Sequence, residues 1–250
     1  MNRFLAVAQT TGEMIAMFLE TLYFFKEAPR NLSSILRQMQ LIGVGTLPIA
    51  MLMALFVGMV LALQTGAELA NYGTQEVIGA IVGQSMVKEL GPVMTALLVA
   101  GRVGSAMAAE VGAMQVYEEI DALKTLDINP VRYLAMPRLI ACLFAVPALV
   151  VFADLIGVLG GALVAQLNPR IAVPYNIYFD NLIRSLGYRE LLQGLLKAMM
   201  FGGIIAQVGC YVGFKTRGGA RGIGESTTRS VVVSFLLIMV ANYFLTRFMM

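Results

Sequence analysis

Leu41 to Gln64 reads LIGVGTLPIAMLMALFVGMVLALQ, and no charge falls between Arg37 and Glu68. At about 1.5 Å per residue, a helix of this stretch is long enough for the roughly 30 Å hydrocarbon core of a bilayer. Four further stretches behave alike. Ile78 to Ala109 carries Lys88, Glu89 and Arg102, and Leu139 to Ala165 carries Asp154. Leu191 to Phe214 carries Lys197, and Ser230 to Met250 carries Arg247 near its end. The whole chain agrees: 58% of its 250 residues are hydrophobic and 13% charged, where soluble domains carry about 25% charge. Mean hydropathy is +0.78. A soluble fold cannot hide that much apolar surface behind so little charge, and disorder is excluded at the same step.

Other function classes fall with the composition. A net charge of +3 is too small for a nucleic-acid footprint. With no histidine, Ser–His and Cys–His triads and most zinc sites are unavailable. Cys142 and Cys210 lie in apolar runs and read as small buried hydrophobes. No G-x-x-x-x-G-K-[ST] phosphate loop occurs, and Gly218 to Gly224 reads as a flexible turn. No cofactor is expected on this chain.

Outside the spans, Phe4, Leu5, Ala8, Met14, Ile15, Phe18, Leu19 and Leu22 recur at helical spacing. They predict an amphipathic N-terminal helix, lying in the interface or packed on the bundle. Tyr178, Leu182 and Leu186 place a second short amphipathic helix within 175–192. Lysine and arginine set the orientation. Eleven lie before span one, between spans two and three, and between spans four and five; four lie on the other side (Arg170, Arg184, Arg189, Arg247). The N-terminus is therefore expected in the cytoplasm and the C-terminus outside. The expected fold is an all-α integral membrane protein. It is one domain, with interfacial or elbow helices over 1–40 and a five-span bundle over 41–250. Small residues form two stripes, Gly101–Ser105–Ala109–Gly112 and Gly202–Ala206–Gly209–Gly213. They serve close helix contact, within one subunit or between two copies.

Two segments carry chemical information. Glu110 to Leu123, between spans two and three, holds Glu110, Glu118, Glu119 and Asp121 against one base, Lys124. The positive-inside tendency would fill such a loop with cations. A short helix with acids and an apolar face suits either docking into a partner's groove or plain solvation. The second segment is Lys88-Glu89-Leu90-Gly91-Pro92. Charges within a span are costly unless paired or hydrated. Pro92 denies the carbonyl of Lys88 its helical donor, so a kink and a polar pocket are expected. Adjacent on a helix, Lys88 and Glu89 do not face each other. By helical rise Glu89 lies some 30 Å from Glu110, at a height shared by Gln64 and Glu68. These groups form a candidate headgroup site, with Leu61, Leu63 and Leu90 as apolar walls; an interfacial charge cluster is the other reading. Asp154 is within expected reach of Lys88, and Arg102 lies nearer the cytoplasm. Structural roles are favoured for both.

The run Lys88-Glu-Leu-Gly-Pro92 through Ala100-Gly-Arg-Val-Gly-Ser105 resembles the MlaE (YrbE) family of permease subunits of lipid-transporting ABC systems. So do Glu110-x-Gly112-x-Met114-x-Val116-x-Glu118-x-Ile120-Asp-Ala-Leu123, Asn129-Pro-x-x-Tyr-Leu134, Pro137-Arg138 and Gly222-Ile-Gly224-x-x-Thr-Thr228. The similarity covers roughly residues 30 to 250, and Glu119 departs from the glutamine frequent there. The resemblance implies a homodimer in the bacterial inner membrane. It also implies two ATP-binding cassette subunits below, a periplasmic MCE-domain lipid-binding protein above, and phospholipid as cargo. Glu110, Gly112, Met114, Glu118, Glu119 and Asp121 would then lie on the coupling helix. ATP would be bound by the partner subunit, with no enzymatic step on this chain. A secondary transporter using Glu89 and Asp154 and a membrane lipid-modifying enzyme are the competing classes.

Overall fold

The computed structural model describes residues 2–249, with side chains from residue 9 onward. Most of the described residues are helical, and none is in a strand. Helix α1 (Asn2–Tyr23) leads through a 3-10 segment, Phe24–Asn31, into α2 (Leu32–Asn71). The second span is composite: α3 (Ile78–Ser85), α4 (Gly91–Val99) and α5 (Ser105–Val116), joined by π-helical turns at Met86–Leu90 and Ala100–Gly104. A short helix α6 (Glu119–Thr125) and a π turn at Val131–Ala135 lead to α7 (Met136–Leu167). Then come α8 (Tyr175–Ser185), α9 (Tyr188–Phe214) and α10 (Gly219–Met249). Among the described residues five stretches are long and apolar enough to cross a membrane. The protein is a multi-pass membrane protein.

Helix α2 has 40 residues, about 60 Å at helical rise, so it overshoots the hydrocarbon core. Its buried stripe repeats every four residues: Thr46, Ala50, Ala54, Gly58, Ala62, Gly66. The stripe packs on α7, the most extensive helix pair in the fold. Small residues decide how close the two helices come. A Cβ placed on Gly58 would fall on the carbonyl oxygen of Gly157, and one on Gly160 would lie 2.6 Å from the carbonyl oxygen of Leu55. Such approach is how membrane helices gain dispersion contact when lipid is as apolar as they are. The Gly202–Gly213 stripe likewise serves packing within the subunit: Gly202 faces the Cys142 carbonyl, Gly209 faces Gly104 and Gly213 faces Val111. Gly101 has open space before it. Both cysteines are buried and free.

Helix α1 is fastened by polar bonds. Glu13 pairs with Lys215 at 2.8 Å and accepts from the Tyr211 hydroxyl at 2.9 Å. Gln207 donates to the Met14 carbonyl, and Asn129 donates to Glu20. Its own Met17 and Thr21 are buried, whereas Ile15, Leu19 and Leu22 stay exposed. One face of α1 thus packs on the bundle while an adjoining apolar face is left for lipid. Phe4, Leu5 and Ala8 lie outside the described side chains, and Met250 outside the described residues. Helix α8 buries Tyr178 completely, packs Leu182 over Gly83 and ends at Ser185.

Candidate functional site

Pro92 has no N–H, so the second span cannot close a regular α turn onto Lys88. The helix widens instead: the Gly91 N–H bonds to the Met86 carbonyl, five residues back, over Met86–Leu90. The expected kink is therefore realised as a π turn, a feature often found where helices carry function. The Lys88 carbonyl finds another donor, the Lys197 ammonium of α9 at 3.0 Å. That ammonium also donates to Glu89 Oε1 at 2.5 Å and to Thr246 Oγ1 of α10 at 2.8 Å. A lysine has three N–H donors, and here each has an acceptor. Its side chain is only 3% exposed, that of Glu89 38%. Glu89 accepts further from Asn242 Nδ2 at 3.0 Å and lies 2.9 Å from the Thr246 hydroxyl. One carboxylate thus gathers the π turn, α9 and α10.

Lys88 turns elsewhere and pairs with Glu190 at 3.7 Å. Glu190 also caps α9, accepting from the Gly187 N–H at 2.9 Å. Together these groups line a pocket of about 300 Å³ with Arg189, Gln193 and Met249. Its charged walls are three cations (Lys88, Arg189, Lys197) and two acids (Glu89, Glu190). Arg189 is exposed and makes no ion pair among the described residues.

The structure brings Lys88 and Glu89 into this pocket without pairing them to one another. Gln64 and Glu68 do not join them: both are exposed on α2, outside the lining, and Gly66, between them, packs beside Ile78, about three helical turns before Glu89 in the second span. Leu61 and Leu90 are half-buried against one apolar cluster that includes Ala62, Val82 and Met86, while Leu63 is exposed. The expected proximity of Asp154 to Lys88 is not realised as a pair, because Lys88 is held by Glu190. Asp154 packs against Gly91 instead; a Cβ there would fall on its carboxylate. Arg102 sits in the Ala100–Gly104 π turn and donates to Thr46 of α2 at 2.7 Å. Lys197, Arg189, Glu190, Asn242 and Thr246 were not among the site residues expected from sequence. Lys197 had stood out as a charge inside an apolar run, and Arg189 had been counted only toward orientation.

A family model described as Permease MlaE matches residues 35–248. The chain belongs to the MlaE permease family. It is 38% identical over 245 residues to a probable ABC transporter permease protein of Rickettsia felis, covering 98% of this chain and 94% of the relative. A probable ABC transporter permease protein of Synechocystis is 40% identical over 216 residues, 86% of this chain and 81% of the relative. Protein TRIGALACTOSYLDIACYLGLYCEROL 1, chloroplastic, of Arabidopsis thaliana is 38% identical over 213 residues, 85% of this chain and 60% of that protein.

The acidic segment of this MlaE-family chain is two helices rather than one. Helix α5 runs to Val116, and Glu118, at φ 61°, turns the backbone left-handed before α6. The break has a packing consequence. Ile120 is buried with Val111 and Leu134, and Met114, Leu123 and Phe214 close over them. The apolar face that sequence offered to a partner is thus spent on the protein's own bundle. Gly112 is buried against Thr216. Exposed instead are Tyr117, Glu118, Glu119, Asp121 and Leu126. Asp121 pairs with Lys124 at 2.7 Å, and Glu110 with Arg138 at 2.9 Å.

Proposed function

We propose that this MlaE-family chain is the membrane subunit of an ATP-driven phospholipid transporter. The observation that carries the reading is the pocket at Lys88 and Glu89. A phospholipid headgroup brings a phosphate, and some bring an amine. Arg189 and Lys88 offer cations to the first, and Glu89 offers an anion to the second. The three-to-two charge balance leaves one positive charge for the phosphate, and the neighbouring apolar helices suit acyl tails. The Arabidopsis relative is named for trigalactosyldiacylglycerol, a lipid, which supports lipid as the class. In this reading the permease is a homodimer in the bacterial inner membrane. Its N-terminus is cytoplasmic and its C-terminus periplasmic, in keeping with the lysine and arginine asymmetry. Two ATP-binding cassette subunits dock below, and a periplasmic MCE-domain protein exchanges lipid above.

The decisive experiment is purification with untagged partners, mass measurement of the complex, and reconstitution with fluorescent phospholipid. Two copies of this chain, ATPase subunits and ATP-dependent lipid transfer are expected. Transfer driven by an ion gradient without the ATPase would overturn the proposal.

The exposed rim of α6 is the proposed ATPase contact, through Glu118, Glu119 and Asp121. Glu118→Lys is expected to lower ATPase association at least ten-fold, since like-charge juxtaposition across an interface costs several kcal/mol. Pull-down from detergent with a thermal-melt control checks it. Unchanged association would remove the acids from the interface.

A further inference from the structure

Helix α1 packs on α9 and on the π turn before α7, and it stands off from α10. Between α1 and α10 lies a groove of about 560 Å³. Met14, Ile15 and Phe18 form one wall, Val233 and Leu237 the other, and Arg229 closes one end. Arg229, Val233 and Leu237 follow one another every four residues, so the apolar slot is about 12 Å long at helical rise. Arg229 also borders two neighbouring depressions: a polar one with Glu13 and Lys215, and one with Arg221 and Glu225. The two acids there are already engaged, Glu13 by Lys215 and Glu225 by Arg221. Arg229 has no ion-pair partner among the described residues. The arrangement is a cation at the membrane surface with an apolar slot leading inward from it.

We propose that this groove binds one anionic phospholipid of the leaflet at the α9–α10 hairpin, its phosphate on Arg229 and one acyl chain between α1 and α10. The apolar walls alone give no preference for any lipid, because bulk acyl chains are as apolar as the groove. Selectivity therefore comes from the charge. A zwitterionic headgroup brings no net charge to Arg229, whereas phosphatidylglycerol brings one. The polar bonds of Glu13 and Gln207 fix α1, so the slot exists before lipid arrives. The site is separate from the Lys88–Glu89 pocket, shares no lining residue with it, and does not depend on the transport reading.

The chain contains no tryptophan, so Phe18→Trp places a single fluorophore in the groove wall. The full chain carrying it is reconstituted in bilayers of brominated phosphatidylglycerol or brominated phosphatidylcholine, mixed with unbrominated phosphatidylcholine. Phosphatidylglycerol is expected to bind about five-fold more strongly at the groove, the ratio for one basic residue facing an anionic lipid. Adding Arg229→Gln should bring the ratio to about one, and Arg229→Lys should keep it. Leu155→Trp in place of Phe18→Trp, on the open face of α7, should show no preference. Equal quenching of the groove fluorophore by the two lipids, or a preference that survives Arg229→Gln, overturns the proposal. So does protection from both lipids, which would mean that a second copy of the chain fills the groove.

Discussion

Replacing Glu89 with alanine is expected to lower stability by about 2–3 kcal/mol and to abolish lipid transfer. The Lys197 ammonium would stay buried, with only the Lys88 carbonyl and Thr246 hydroxyl to satisfy it. Removing one partner of a buried pair commonly costs about 3–5 kcal/mol because the other charge is stranded. The lower figure allows for Glu89 being partly open to the pocket. The double variant Glu89→Ala with Lys197→Met should recover most of the stability while transfer stays low, since no charge is then stranded. Thermal unfolding in detergent beside a liposome transfer assay separates the two effects. A single variant that melts like the parent would show that the pair bears no structural load. A double variant that transports normally would remove these charges from the lipid path. The exposed pair Arg221–Glu225 provides contrast: breaking it should change stability by about 0.3–0.5 kcal/mol.

Gly58→Leu is expected to be the most damaging change on α2. Its side chain would have to occupy the space of the Gly157 carbonyl, and backbone does not yield as a flexible side chain does. Overpacking commonly costs about 1–3 kcal/mol, and a backbone clash at the largest helix contact lies at or beyond the upper end. Little monodisperse protein should be recovered after extraction. Gly43→Leu on the same helix meets nothing within 4 Å and should behave as the parent. Equal recovery of the two variants would mean that α2 and α7 separate easily at this crossing.

These cases show what a linear sequence holds. Apolar length marks a span because the bilayer imposes it, and all five were legible. Their ends were less so. Helix α10 begins at Gly219 rather than near Ser230, because Arg221, Glu225 and Arg229 continue the helix into water where hydropathy gives no signal. Helix α2 likewise starts at Leu32, ahead of its uncharged run. Within the pocket, Lys88 and Glu89 were conspicuous as charges in an apolar stretch. Asn242 and Thr246, the neutral partners of Glu89, were silent, since neutral polar residues are common in spans. Gln64 and Glu68 had been grouped with them by height. Rise per residue gives depth only relative to an assumed span end, and both the register and the side on which helices meet are decided by packing of small residues such as Gly58 and Gly157. The acidic segment misled for a related reason: an apolar helical face looks the same in sequence whether a partner or the chain's own bundle covers it.

The two π turns of the second span have a consequence for indexing. A π turn holds one more residue than an α turn over nearly the same height, so each offsets the downstream register by about 100°. The offset helps to set azimuth: Lys88 is directed to α9 and Arg102 to α2. Deleting one residue from Met86–Leu90 would leave a span of almost unchanged length and hydropathy, with its charges swung toward different neighbours. Alignments that tolerate such a gap would score the two chains as equivalent, although their polar groups no longer meet. Between the turns, the nine residues of α4 are rotated by one such offset relative to α3, and α5 by two.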